Sequence, residues 1–311
     1  MSIGPIMTRS GSAPVPRCAC IDIGSNTTRL LVAMDDGPRL VELFSERSFT
    51  RLGAACAYDG EIGTDKLAEV ASVVAGQARV AQELGVSRLR VVATAAVRQA
   101  ANPAALAAAI QRECGLTLEI LPSEEEARLA FAGAVGMLGQ PPPGLLGVVD
   151  VGGGSTELVA GTAAGGVTWS VSLPLGSGLV TRADLPTDPP SAAELASLRS
   201  KLARAFAEVQ APRPAAAYAV GGSATSLQRL VGNVLEREAL ARGLQALVTR
   251  PAVEVALRLG LHPERARLLP AAILLLDAAS RALRAPLQLA GGGLREGVVL
   301  EQLAHLRAGP A

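Results

Sequence analysis

Aromatic side chains make up only 2% of the chain. Stacking of bases on aromatic platforms is thus a poor prospect, nucleic acid is not an expected partner, and the cores must be built from Leu, Val, Ile and Ala. Cysteine is also scarce. Cys18, Cys20, Cys56 and Cys114 have neither zinc-site spacing nor a dense disulfide pattern, so a reduced, cytoplasmic protein is expected. The two histidines, His262 and His305, lie far in sequence from every glycine-rich loop, and no Ser-His-Asp or Cys-His arrangement is evident. Net charge is +1, so no global field recruits a polyanion and any anion site must be local. No charge-free apolar run reaches the roughly 18 residues of a membrane span. Residues 1–16 hold Gly, Ser and Pro without an apolar stretch, and read as a flexible tail rather than a signal peptide.

What the chain does have is size, apolar content and glycine-rich turns. At 311 residues it exceeds one comfortable core, which makes two domains the default. Strands are expected at 18–23, 28–34, 40–49, 89–93, 116–121, 148–151, 156–159, 167–173, 216–220 and 287–290. Helices are expected from Thr64 as N-cap to Gly85, from Asn102-Pro103 to Gly115, and from a capping box at Ser123 and Glu126 to about Met137. A second capping box, Ser191 and Glu194, opens a helix to about Gln210. Further helices begin at Gly221, fill 236–284, and run from Leu294 to about Leu306. Asp22–Leu30 lies over Asp150–Leu158 at an offset of 128 residues, with four of nine positions identical. This echo favours two related α/β lobes with ligands in the cleft between them.

Four loops could carry chemistry. Gly152-Gly153-Gly154-Ser155 lies between two strands, with Asp150 before it and Glu157 after it. It matches neither GxxxxGK[ST] nor GxGxxG opening a helix, but three glycines exceed what a hairpin needs. Bare N–H groups suit phosphate, and the flanking acids suit a divalent cation beside it. Gly24-Ser25-Asn26-Thr27 is turn chemistry that becomes a second clamp once placed opposite the first loop, with Asp22 assisting the metal. Gly221-Gly222-Ser223 opens a helix and offers an anion seat there, although close helix–sheet approach explains the glycines equally well. Arg98, after the strand ending at Ala93, can neutralise phosphate, although most such arginines are simply solvated. In Glu124-Glu125-Glu126, capping explains the acids; alternatively one of them is a general base for water.

Six ordered stretches then bring a family into view: DIGSNTTRLLV from Asp22, TAAVRQAAN from Thr94, EEEARLAFAG from Glu124, VVDVGGGSTELV from Val148, VGGSATSL from Val220 and GLREGVV from Gly293. The chain resembles the exopolyphosphatase and guanosine pentaphosphate phosphatase family over about residues 18–303. The resemblance implies an actin-like, two-lobed ATPase-type α/β fold with ribonuclease-H-like lobes, here 17–133 and 134–311. It leaves open a return of the last helix, 297–308, to the first lobe. It implies magnesium-dependent hydrolysis of terminal phosphate from inorganic polyphosphate, with manganese as the alternative ion. Guanosine pentaphosphate is the alternative substrate, and a non-catalytic polyphosphate or nucleotide sensor the alternative class. Glu126 takes the place of the family's base. Asp150 and Glu157, with Asp22, take the metal and water-positioning places. Ser25, Asn26, Arg98, Gly152, Gly153, Gly154, Ser155, Gly222 and Ser223 take the phosphate places. Dimers are common in this family, and the sequence shows no dimer seam. Two departures stand out. Leu179 lies near the place of a common arginine, with Arg182 close by, and Arg267 near the place of a common acid.

Overall fold

A computed structural model describes residues 15–37, 40–55 and 60–308; most of the expected tail (1–16) and Cys56 lie outside these. The first lobe runs β1 (Arg17–Ile23), β2 (Thr28–Asp35), β3 (Leu40–Ser48), α1 (Leu52–Ala55), α2 (Thr64–Glu83), β4 (Arg88–Ala93), α3 (Ala95–Arg98), α4 (Pro103–Cys114), β5 (Leu118–Ile120) and α5 (Ser123–Met137). The second runs β6 (Leu146–Val151), β7 (Thr156–Thr162), β8 (Gly166–Leu173), α6 (Ser177–Asp184), α7 (Ala192–Ala207), β9 (Ala216–Val220), α8 (Gly221–Val231) and β10 (Val234–Leu235). It continues with α9 (Arg237–Val248), α10 (Ala252–Leu259), α11 (Pro263–Leu283), β11 (Leu287–Leu289) and α12 (Leu294–Ala308). Among the described residues the sheets order as β3-β2-β1-β4-β5 and β10-β11-β9-β6-β7-β8. In each, the first strand is antiparallel to the second and parallel to a later one, β1 with β4 and β6 with β9. These are the two α/β lobes of the actin-like ATPase fold.

Strand alternation decides where the chemistry goes. On β1, Ala19, Ile21 and Ile23 face the core shared with α2 and α4, while Cys18 and Cys20 face a core shared with α12. Asp22 continues the second set, so it emerges on the α12 side. On β6, Val149 and Val151 face the core shared with α7, α8, α9 and α11, while Leu146 and Val148 face α5. Asp150 continues that second set. Both aspartates therefore end on the inner face of their sheet, toward the layer holding α5 and α12.

Those two helices join the lobes. From α5, Leu129 enters the core of the first sheet, whereas Ala127, Phe131 and Ala134 enter that of the second. From α12, Leu294, Val298, Val299 and Leu303 cover the first sheet. Each such buried side chain is worth about 1.5–3 kcal/mol, so the layer cannot be peeled away cheaply. The helices cross almost backbone on backbone. A methyl on Gly133 would fall 1.9 Å from the Gly293 carbonyl oxygen, and one on Gly297 would fall 2.0 Å from that of Leu129. A boundary at 133/134 thus lies inside a helix that both cores share.

Three local expectations are corrected. Thr64 is the first residue of α2, not its cap. The Ser123–Glu126 capping box does not form: Pro122 occupies the cap position, and Glu126 is bonded elsewhere. Helix α6, which carries Arg182, lies where only a connection was expected.

Candidate active site

The two hairpins built on Asp22 and Asp150 have the same geometry. The turn of the first closes with the Gly24 N–H on the Thr27 carbonyl at 3.0 Å, and that of the second with the Gly152 N–H on the Ser155 carbonyl at 3.0 Å. The residue opposite Asp22 is Arg29, and the residue opposite Asp150 is Glu157. In each lobe the next helical segment holds the loop's carbonyls. Arg51 and Gly53 donate main-chain N–H bonds to Asn26 and Ser25; Ser177 and Leu179 donate to Gly152 and Gly153. Among the described residues no main-chain carbonyl accepts from the N–H of Gly153 or Gly154.

The loops meet directly across the cleft. A methyl on Gly154 would lie 2.6 Å from Ser25 Oγ, and one on Gly153 would lie 3.0 Å from Ser25 Cβ. Where they touch, Ser25 and Asn26 of one loop meet only Gly153 and Gly154 of the other, and that asymmetry is what lets them nest. Beneath them lies a cavity of about 210 Å³. It is lined by Asp22, Ser25, Asn26, Glu126, Asp150, Gly152, Gly153, Gly154, Ser155, Glu157, Gly222 and Ser223 among others. All the expected site residues therefore converge here except one. Arg98 does not line the cavity. Its Nη1 donates to the Leu121 carbonyl at 2.7 Å and to Glu126 Oε2 at 2.9 Å.

The cavity is lined by several acids. Burial, then the charge of Glu157, pushes the Glu126 carboxyl up to about 8, with Arg98 pulling the other way. Burial, then Glu157, pushes Asp150 up to about 7. Glu157 is also raised by burial, although Ser155 and Ser172 oppose this by hydrogen bonding; Ser172 Oγ donates to Glu157 Oε1 at 2.8 Å. Gly221, at φ +80°, brings main chain against Asp150, leaving only 2.4 Å between the site of a methyl and Asp150 Oδ1. Asp22 Oδ2 lies 3.4 Å from Arg29 Nη2, while its buried Oδ1 has no partner.

A cationic lining was missed by sequence reasoning. Arg29, Arg47, Arg265 and Arg295 all line the cavity. Burial, then the charges of Arg47 and Arg29, pulls Arg265 down to about 9. Arg295 and Arg47 are lowered for the same reasons, burial first and neighbouring guanidinium groups next. Arg265 packs on Gly222, where a methyl would come within 2.7 Å of its Nη1, and its buried Nε has no partner. Guanidinium groups that raise one another's energy in this way invite a ligand with several negative charges. Arg29 was findable: it lies as far after the turn as Asp22 lies before it. Arg47 and Arg265 come from stretches without any motif.

Among the described residues no three Asp, Glu, His or Cys side chains form a cluster able to hold a metal ion by themselves. Asp22, Asp150 and Glu157 are therefore not a closed three-carboxylate cage. The unpartnered Asp22 Oδ1 and the crowded, desolvated Asp150 do fit a magnesium-like ion, which keeps several waters and takes one or two carboxylates plus substrate oxygens.

With this geometry in view, comparison with known proteins is informative. A profile of the Ppx/GppA phosphatase family matches residues 31–306. Exopolyphosphatase 1 of Mycobacterium tuberculosis is 33% identical, the match covering 92% of this chain and 88% of that one. The Mycobacterium leprae protein of the same name is 31% identical, covering 92% and 89%. The crystal structure of the Aquifex aeolicus Ppx/GppA family member superposes with a TM-score of 0.80 at 28% identity, covering 96% of this chain and 100% of that one. Among the described residues no helix is long and apolar enough to cross a membrane. The chain belongs to the Ppx/GppA phosphatase family.

Proposed function

We propose that this phosphatase is an exopolyphosphatase, releasing terminal orthophosphate from inorganic polyphosphate by attack of water. The observation that carries the reading is that one cavity is lined by both kinds of group: buried carboxylates led by Glu126, and four arginines, Arg29, Arg47, Arg265 and Arg295. A phosphate chain is the ligand class that needs both. Its charges answer the arginines and the bare N–H groups of Gly153 and Gly154, and its terminal anhydride meets the carboxylates.

Glu126 is the base. A carboxyl raised to about 8 can accept a proton from water close to physiological pH, where an ordinary glutamate would be too weak a base. Arg98 keeps Glu126 ionisable and aimed by bonding its Oε2, and is itself anchored on the Leu121 carbonyl. Ser172 fixes Glu157, which lies opposite Asp150 and orients the attacking water. Asp150 and Asp22 would hold magnesium, or manganese, which on binding supplies charge neutralisation for the transferred phosphoryl group. Product phosphate then leaves from the carboxylates while the remaining chain stays on the arginines.

The test is orthophosphate release from short polyphosphate, long polyphosphate and guanosine pentaphosphate, with and without Mg²⁺. Release from polyphosphate is expected to depend on the ion and to fall about 10²- to 10⁴-fold in Glu126→Gln. Full activity in Glu126→Gln would overturn the assignment of the base. Faster release from guanosine pentaphosphate would favour that substrate, and no release from any of the three would favour a sensor.

A further inference from the structure

Outside the cavity, and apart from the contacts of α12, three links between described residues join the lobes at the side of β3 and α11. The Phe49 ring stacks on the His262 imidazole with centroids 4.2 Å apart. The Arg51 guanidinium pairs with the Glu264 carboxylate. Arg182 Nη2 donates to the Gly53 carbonyl at 2.9 Å. Phe49, Arg51 and Gly53 follow β3 in the first lobe, whereas His262 and Glu264 open α11 and Arg182 lies on α6 in the second. None of the six lines the cavity. Two of the contacts adjoin lining residues in the chain, Phe49 following Arg47 by two and Glu264 preceding Arg265, and Arg182 lies on α6, whose first residue Ser177 also lines the cavity. Arg51 and Gly53 hold the carbonyls of Asn26 and Ser25. Two of the contacts thus flank Arg47 and Arg265 in the chain, the third ties α6 to the segment that seats the first loop, and together they mark one rim of the cleft.

We propose that Arg51, Arg182 and Glu264, with the Phe49–His262 stack, are specificity-determining: they clasp that rim of the cleft and bias the enzyme toward short phosphate chains. The chain-length part rests on the exopolyphosphatase reading. A short chain fits behind the rim. A chain that outgrows the cavity must leave through the rim and hold the clasp open while it is bound. The contacts suit that duty because each is individually weak; the Arg51–Glu264 pair in particular stands in water.

The clasp is tested first without substrate. Spin labels at Leu43 and Leu257, exposed positions on β3 and α10, report the distance between lobes in a Cys56→Ser/Cys114→Ser background. The parent should give one narrow distance distribution, Arg51→Glu a broader one reaching longer distances, and the double exchange Arg51→Glu/Glu264→Arg a narrow one again. An unchanged distribution in Arg51→Glu, or no recovery in the exchange, overturns the clasp whatever the protein hydrolyses. The second readout is kcat/KM on long relative to short polyphosphate. That ratio should rise about two- to fivefold in Arg51→Glu and in Arg182→Ala, the scale of an exposed ion pair, and return in the exchange. A ratio that stays fixed while the lobes open overturns the specificity role. Failure of the parent to release phosphate from either chain overturns the exopolyphosphatase reading and the chain-length role with it, while the distances still decide the clasp.

Discussion

The hairpins at Asp22 and Asp150 share strand pairing, turn hydrogen bond and the aspartate at the end of the first strand, yet their electrostatics are opposite. In the first lobe the residue across from the aspartate is Arg29, and the two charges partly satisfy each other. In the second it is Glu157, and two acids are forced together in a desolvated site. The difference shows how a duplicated backbone can divide its labour. The Asp–Arg hairpin is nearer charge balance, although Asp22 Oδ1 still lacks a partner, and under the proposed function its arginine serves binding. The Asp–Glu hairpin concentrates negative charge that a cation or a proton relieves.

The largest effect should come from erasing that difference. Glu157→Arg would give the second hairpin the charge pattern of the first. The expected result is a loss of about 10²- to 10³-fold in kcat, since a group aimed at the reacting centre is replaced by one of opposite charge. Steady-state kinetics on polyphosphate checks it. Circular dichroism of the variant should match the parent, because the cross-strand pairing does not depend on either charge.

A second prediction uses pH. Glu126 must be ionised to accept a proton, and its carboxyl is pushed up to about 8, so kcat/KM should rise with pH until that value is passed. Stability should move the other way. The folded protein keeps on Glu126 a proton that the unfolded chain releases near 4.5, so the stabilisation is complete below 4.5 and is lost as pH rises through about 8. Asp150, raised to about 7, has the same sign. Thermal unfolding in metal-free buffer should therefore show Tm falling across this range. An activity maximum on the acid side would contradict the assignment.

The smallest effect concerns the nested loops. Gly154→Ala places a methyl 2.6 Å from Ser25 Oγ and should hold the lobes apart, raising KM severalfold with little change in kcat. Ser25→Gly in the same chain should recover part of the loss by making room. A Gly154→Ala enzyme with unchanged KM would show that the loops need not touch during turnover.

Much of this site was legible because it rests on short-range signals. Turn glycines, flanking acids and a repeat at fixed offset located both hairpins, and simple counting outward from each turn pairs Asp22 with Arg29 and Asp150 with Glu157. What escaped depends on partners distant in the chain. Ser191 and Glu194 make a true capping box, with the Glu194 N–H on Ser191 Oγ at 3.2 Å and the Ser191 N–H on Glu194 Oε2 at 2.6 Å. Ser123 and Glu126 show the same pattern, but Arg98, 28 residues upstream, takes the carboxylate instead. Local sequence cannot distinguish the two cases. Nor can it bring Arg47, at the end of β3, and Arg265, in the first turn of α11, to one cavity. That convergence follows from closure of the lobes over the α5–α12 crossing, which depends on glycines at 133 and 297 and on helices packed by apolar residues.

The claim that one hairpin binds and the other reacts is tested most directly by the kinetic parameters of two matched variants, Arg29→Gln and Glu157→Gln, for orthophosphate release from polyphosphate with Mg²⁺. The account predicts that Arg29→Gln raises KM by about tenfold with kcat nearly kept, and that Glu157→Gln lowers kcat by about 10²-fold with KM nearly kept. If both variants lose the same parameter, the division of labour between the hairpins is contradicted.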